Sequence, residues 1–319
     1  MASGATQVGI LGTGQMAVML ATLLADTGRS PIMLGRAAAI THIRATGESS
    51  HLPGRPIPKA VRVTDEPASI ADVDTLFVAV PTQSVRGVLE GLDVEPATVV
   101  SCAKGLELAS GLRPSEVIAE VLPGGPEVMV LSGPNIAEEV AAKKPAGAVM
   151  AACDDEVARP ICDLLTTPYF RIYTNCDVVG VELAGASKNI IALAAGIIDG
   201  LQLGNNAKAS LITRGLVEIT RLGTELGAAA ETFAGLAGMG DLITTCVSPH
   251  GRNRSVGERI GRGEKLDDIL ADLGSVCEGV PTTRAVLQVA GERRIDMPIA
   301  QAVAAVLFEG RNVREVLTD

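Results

Sequence analysis

Aromatic side chains are almost missing: 319 residues contain no Trp, two Tyr and four Phe. Single-stranded nucleic acid is held on aromatic platforms, so that class of partner is disfavoured. A basic surplus is also missing. There are 27 Lys and Arg against 37 Asp and Glu, a formal net charge of −10, so the chain has no footprint for a phosphate backbone. An acidic chain of this kind binds a small anion only through a few locally placed cations. Metal-ligand spacing is absent too. Cys102, Cys153, Cys162, Cys176, Cys246 and Cys277 make no C-x-x-C pair, and His42, His51 and His250 make no H-E-x-x-H. No metal site is expected, and scattered thiols suit a reducing, cytoplasmic setting. No uninterrupted apolar run reaches the ~18 residues of a membrane span. The longest candidate, Ile190 to Ile198, is closed by Lys188 and Asp199. Met1 to Thr6 carries no basic segment leading into an apolar one. Neither membrane insertion nor a secretory signal is therefore expected.

What is present is globular: 47% hydrophobic and 20% charged residues, with a mean hydropathy of +0.32. The length suggests about two domains at ~150 residues each. The first half alternates short, nearly continuous apolar runs with helical patterns. Gln7–Leu11, Pro31–Leu34, Thr75–Val80, Thr98–Ser101, Val128–Leu131 and Ala146–Ala151 read as strands. Helical stretches at 15–27, 83–92, 114–121 and 154–165 lie between them. That alternation predicts a doubly wound parallel sheet of Rossmann type over residues 1–177. From residue 178 the sequence turns Ala-, Leu- and Ile-rich, with Pro281 and Pro298 at first-turn positions. A second, all-helical domain is expected over 178–319. The fold class is α/β plus all-α.

Gly12-Thr13-Gly14-Gln15-Met16-Ala17 follows the first strand and opens a helix. This is the dinucleotide fingerprint in its required context: a tight turn, an open approach for a pyrophosphate, and a small residue for close helix–strand packing. The acid expected about 20 residues on is missing, and the second strand instead ends in Leu34-Gly35-Arg36. An Arg there suits the 2′-phosphate of NADP, so NADP is favoured and NAD kept. Val80-Pro81-Thr82, Ser101-Cys102-Ala103-Lys104 and Ser132-Gly133-Pro134-Asn135 each follow a strand. Such ends line the ligand crevice of an open sheet, so Pro81, Lys104, Gly133 and Asn135 are candidates.

In the second half, Lys188 and Asn189 interrupt a small, apolar helix, with Glu182 nearly two turns earlier on the same face. A buried Lys is costly unless paired, and burial lowers its pKa, which suits proton exchange. Gly235 to Cys246 supplies three glycines, then Asp241, Thr244 and Thr245, and leads to Gly251-Arg252-Asn253-Arg254. Arg252 and Asn253 read as a loop able to fork onto a phosphate or carboxylate. His250 reads as a solvated neighbour.

These segments together resemble the NAD(P)-dependent glycerol-3-phosphate dehydrogenases of bacterial type over almost the whole chain. The carrying motifs are Gly12 to Ala17, Lys104 to Glu107, Gly133 to Ala137, V-E-L-A-G-A-S-K-N-I-I-A-L from Val181, Thr213-Arg214-Gly215, G-L-A-G-M-G-D-L from Gly235, and Arg252-Asn253-Arg254. The resemblance implies reversible reduction of dihydroxyacetone phosphate to sn-glycerol 3-phosphate, the precursor of glycerophospholipids. It implies Lys188 as the proton-exchanging group, with Lys104 and Asp241 also assigned to the catalytic set. It places Gly133, Asn135, Asn189, Thr245, Gly251, Arg252 and Asn253 with Lys104, Lys188 and Asp241 at substrate positions. Gly12, Gly14, Gln15, Met16, Ala17, Arg36, Pro81, Lys104, Ala137, Arg252, Val276 and Glu278 fall at cofactor positions. The chain departs from the bacterial pattern at Gly251, where relatives often have Ser, at Asn135 for Thr or Ser, and at Met16 for an aromatic.

Two other readings stay open on the residues alone. One is a two-domain β-hydroxyacid-type dehydrogenase, with a carboxylate in place of the phosphate. The other is a non-catalytic NAD(P) sensor, for which Lys104, Lys188 and Asp241 would be unnecessary. A homodimer is compatible with the sequence, which does not fix the oligomeric state.

Overall fold

The computed structural model describes residues 6–122, 124–249 and 251–316. His250 lies outside the described residues. Eight strands, β1 (Val8–Leu11), β2 (Ile32–Leu34), β3 (Arg62–Thr64), β4 (Thr75–Val78), β5 (Thr98–Ser101), β6 (Glu127–Ser132), β7 (Ala146–Ala151) and β8 (Phe170–Asn175), form one sheet in the order β3-β2-β1-β4-β5-β6-β7-β8. The order reverses between β1 and β4, so the doubly wound architecture holds. One pairing departs from the expected parallel sheet: β6 and β7 run antiparallel, with Leu131 opposite Met150. The connection explains it. A parallel crossover must carry the chain back along a six-residue strand, about 20 Å. Its helix, Ala137–Ala141, has five residues, worth about 7.5 Å. β3 and β8, and the helix Ala37–Thr46, were not expected from the sequence.

Contacts divide the chain into two compact units. The first holds the residues up to Ala103 with Pro114–Val178, and the second holds Lys104–Arg113 with Val179 onward. The excursion 104–113 belongs with the helices for visible reasons. Leu106 is buried in the helical core, and the Asn189 side-chain amide donates to the Lys104 carbonyl at 2.9 Å. The Arg113 guanidinium pairs with the fully buried Glu182 carboxylate at 2.8 Å.

In the first unit the core is built from β-strand residues such as Ile10, Phe77 and Met129 and from the helix Gln15–Asp26, whose residues 17–24 are all buried. In the second unit the axis is the 23-residue helix Val178–Gly200. It is long and apolar enough to cross a membrane, yet it is wholly enclosed by protein; the count of uninterrupted apolar residues missed it because Glu182 and Lys188 interrupt the run. A helix apolar all round is a core helix when other helices surround it.

Small residues decide what packs on that axis. A Cβ at Gly196 would lie 1.9 Å from the Arg254 carbonyl oxygen, one at Gly200 2.2 Å from that of Glu258, and one at Gly257 2.0 Å from that of Leu193. The helix Arg252–Gly261 therefore crosses Val178–Gly200 backbone against backbone, through G-x-x-x-G pairs at 196/200 and 257/261. That close crossing puts Asn253 against Asn189.

Candidate functional site

In the first unit, the fingerprint turn is shaped as a dinucleotide needs. Gly12 has φ +120°, and a Cβ there would lie 2.7 Å from the Ala79 carbonyl oxygen, so only glycine fits. A Cβ at Gly14 would meet nothing within 4 Å, which leaves the approach open. Gly14 caps the helix Gln15–Asp26 with no side-chain acceptor, and its first turn has no acid. The first N–H groups of a helix lack intrahelical acceptors and favour an anion. Gln15 and Met16 are half-buried in that turn and Ala17 is buried. Arg36 is exposed at the end of β2, at the cap of Ala37–Thr46. The chain has no carboxylate from Ile32 to Gly47. Pro81 follows β4, beside β1 at the reversal point, and Gly133 and Asn135 follow β6 on the same edge. Asn135 is buried, as is Ala137 at the start of its short helix. The residues present fit a dinucleotide.

The second unit holds a buried charge cluster. The chain makes a single π-helical turn at Leu236–Gly240 and then the helix Asp241–Val247. Asp241 and Thr245 stand one turn apart and face Lys188. The Lys188 ammonium donates to one Asp241 carboxylate oxygen and to the Thr245 hydroxyl at 2.8 Å. The Lys104 ammonium donates to the other Asp241 oxygen at 2.7 Å. The Thr245 hydroxyl donates to the Asp241 carbonyl at 2.6 Å, so its lone pairs face Lys188. Lys188 and Asp241 are buried, and the Lys104 side chain is 14% exposed. Two ammonium groups share one carboxylate, a local surplus of positive charge in a chain of net charge −10.

The proton affinities follow. Burial pushes the Lys188 ammonium down to about 8; Asp241 opposes the shift and Lys104 adds to it. Burial works to raise Asp241, but the charges of Lys104 and Lys188 outweigh it and hold the carboxyl below its ordinary value.

Around this cluster runs a directional chain of amides. Asn253 Oδ1 accepts from the Gly279 N–H at 2.9 Å and from the Cys277 thiol at 3.0 Å. Burial pushes that thiol up to about 11, so it stays a donor. With its oxygen spent, Asn253 turns Nδ2 to Asn189 Oδ1 at 2.8 Å. Asn189 in turn donates to the Lys104 carbonyl. Orientation at one end fixes orientation at the other. This corrects the expected fork of Arg252 and Asn253: the buried Asn253 amide is held within the protein, and what it can offer an anion is its backbone N–H.

Arg252 and Asn253 are also not in a loop. They form the first turn of Arg252–Gly261, capped by Gly251 without a side-chain acceptor. The Arg252 side chain is exposed and has no ion-pair or hydrogen-bond partner among the described residues. A guanidinium and free helix N–H groups thus stand together. Val276 is exposed and Glu278 caps the helix Gly279–Arg293. Sequence reasoning missed Cys277, Gly279 and the Arg113–Glu182 pair. A thiol or a backbone N–H carries no motif, and partners 69 residues apart have no local signal.

Comparison with known proteins agrees with this geometry. Residues 7–158 match the family model for the N-terminus of NAD-dependent glycerol-3-phosphate dehydrogenase, and residues 177–318 match that for its C-terminus. A Streptomyces coelicolor glycerol-3-phosphate dehydrogenase [NAD(P)+] is 46% identical over 310 residues, covering 95% of this chain and 92% of the relative. A Bacillus cereus enzyme of the same name is 44% identical over 320 residues, covering 98% and 94%. The crystal structure of a Coxiella burnetii glycerol-3-phosphate dehydrogenase superposes with a TM-score of 0.94 at 33% identity, covering 98% of each chain. With the fingerprint turn in one unit and the Lys–Asp–Lys cluster in the other, the chain belongs to the NAD-dependent glycerol-3-phosphate dehydrogenase family.

Proposed function

We propose that the chain reversibly reduces dihydroxyacetone phosphate to sn-glycerol 3-phosphate, with Lys188 exchanging the proton at the substrate oxygen. The observation that carries this reading is the buried Lys188 ammonium, lowered to about 8 and aimed by Asp241 and Thr245. A group titrating near working pH serves as acid in one direction and base in the other. The dinucleotide, when bound, supplies or accepts the hydride. Gly12, Gly14 and the N–H groups of Gln15 and Met16 would hold its pyrophosphate, with Ala17 letting the helix pack close. Arg36 would receive a 2′-phosphate, which favours NADP while leaving NAD usable. Pro81, Ala137, Val276 and Glu278 are assigned to the cofactor by resemblance.

As the substrate oxygen gains negative charge, the surplus ammonium of the pair stabilises it, and Lys188 releases the proton. Asp241 keeps both lysines in place and stays ionised. Lys104 adds a second positive group. Asn189 and Asn253 position it through the Lys104 carbonyl. Arg252 and the first N–H groups after Gly251 would anchor the phosphate. Gly133 and Asn135 remain substrate candidates of the first unit. An anion anchor would take a phosphate or a carboxylate, and the family match supports the phosphate over the β-hydroxyacid reading. The direct test is oxidation of NADPH with dihydroxyacetone phosphate. Turnover with a β-ketoacid and none with the phosphate would overturn the proposal.

A further inference from the structure

The two arginines of Arg252-Asn253-Arg254 are in opposite circumstances. Arg252 is exposed and has no ion-pair or hydrogen-bond partner among the described residues. The Arg254 side chain is 12% exposed and makes four hydrogen bonds. Its Nε donates to the Ser248 carbonyl at 2.8 Å and its Nη2 to the Pro249 carbonyl at 3.4 Å. Its Nη1 donates to Asp199 and to Glu258, both at 2.9 Å. Asp199 is in the last turn of Val178–Gly200, the helix that carries Lys188. The backbone of Arg254 is held to the same helix, since its carbonyl fills the place of a Gly196 side chain.

We propose that Arg254 is a positioning residue that ties the Ser248 and Pro249 carbonyls to the helix of Lys188, and so sets the affinity of the anion subsite that begins at Gly251 without touching the anion. Arg254 is tied into an ion-pair network in which Asp199 is shared with Lys208 and Glu258 with Arg262, whereas the Arg252 guanidinium is left to attract the phosphate. What Arg254 supplies is geometry. It holds the Ser248 and Pro249 carbonyls, and the first of these in turn holds Gly251, ahead of the free N–H groups. The Gly251 N–H closes the turn on the Ser248 carbonyl at 3.3 Å. Only a planar fork can serve two carbonyls and two carboxylates at once; a lysine has one nitrogen and three donors.

The inference rests on the reading of this helix start as the phosphate anchor, and the experiment separates the two. Full-length Arg254→Lys and Arg252→Ala are assayed with saturating NADPH, using dihydroxyacetone phosphate and unphosphorylated dihydroxyacetone. For Arg254→Lys the expected result is a KM for dihydroxyacetone phosphate raised about tenfold, the loss of one good hydrogen bond. The KM for NADPH and the kcat/KM for dihydroxyacetone should change by less than about threefold, within the same scale of error. A merely structural role would lower kcat for both substrates through a smaller active fraction and leave KM alone. That outcome, or an unchanged KM for dihydroxyacetone phosphate, overturns the proposal. If Arg254→Lys does not fold, Asp199→Asn loosens the same clamp and is read the same way. If Arg252→Ala costs both substrates equally, the phosphate reading itself fails; if Arg252→Ala is selective and Arg254→Lys is silent, only the positioning claim fails.

Discussion

The two units prepare for ligands in different ways. The first does it with main chain and with space: a glycine at φ +120° against the Ala79 carbonyl, an open position at Gly14, and a helix start left uncapped. The second does it with side-chain charge: a carboxylate shared by two ammonium groups, steered by a chain of amides. Backbone geometry needs few particular side chains and is written locally, within six residues. Buried charge needs partners from distant segments, and here Lys104, Lys188 and Asp241 come from three of them. Substitutions at the fingerprint turn and at Arg36 should therefore act on cofactor binding and choice, and those at the buried charges and at Arg252 on chemistry and substrate anchoring.

The sharpest break of that contrast is Lys188→Met. It should lose at least ~10²-fold in kcat, the low end for removing a general acid–base, while NADPH binding, followed by fluorescence titration, persists. Turnover near wild type would remove Lys188 from the chemistry. Arg252→Ala comes next. A charge-assisted hydrogen bond contributes ~1.5–3 kcal/mol, so kcat/KM for dihydroxyacetone phosphate should fall roughly ten- to a few hundred-fold. Unphosphorylated dihydroxyacetone should be spared.

In the first unit, Arg36→Asp should move preference toward NADH by about tenfold or more in the ratio of kcat/KM values, since a carboxylate repels the 2′-phosphate and can bond the ribose hydroxyl. An unchanged ratio would show that Arg36 does not read it. The smallest effect is expected at Gly251→Ser. The new Cβ would lie 3.1 Å from the Thr245 carbonyl oxygen and 3.4 Å from that of Ser248, and φ there is an ordinary −70°. The turn has to give by a few tenths of an ångström, so steady-state assays should show KM for dihydroxyacetone phosphate changing by less than about tenfold.

Legibility in the sequence followed the same division. The β1 turn, the strand ends and the missing acid at Arg36 were readable because fingerprint, strand and helix are contiguous. Lys188 was readable as a cation in an apolar helix. Its pairing with Asp241, 53 residues away, was not, because the Gly-rich segment before Asp241 gives no helical pattern and folds as a π turn. Arg252 and Asn253 looked like loop because four polar residues precede the first buried apolar one, Val256. β8 was overlooked because it lies at the sheet edge, with Phe170 its one buried residue and Arg171, Thr174 and Asn175 breaking the apolar run. The antiparallel β6–β7 step is set by connection geometry, which composition does not show.

One buried amine is proposed to serve both directions of the reaction, and its titration is the sharpest test. Lys188 must be charged to donate and neutral to accept. With burial holding it near 8, kcat/KM for reduction of dihydroxyacetone phosphate should be flat below about pH 8 and fall above it. The value for oxidation of sn-glycerol 3-phosphate should rise through the same region. Folding should carry the same signature: a native value below the 10.5 of the unfolded lysine means the unfolded chain binds more protons between the two values, so this group adds stability as pH rises from about 8 to 10.5. Measuring both kcat/KM profiles from pH 6 to 10 decides the matter. Opposed limbs meeting near pH 8 are predicted; profiles that run in parallel, or that show no limb in this range, would contradict the account.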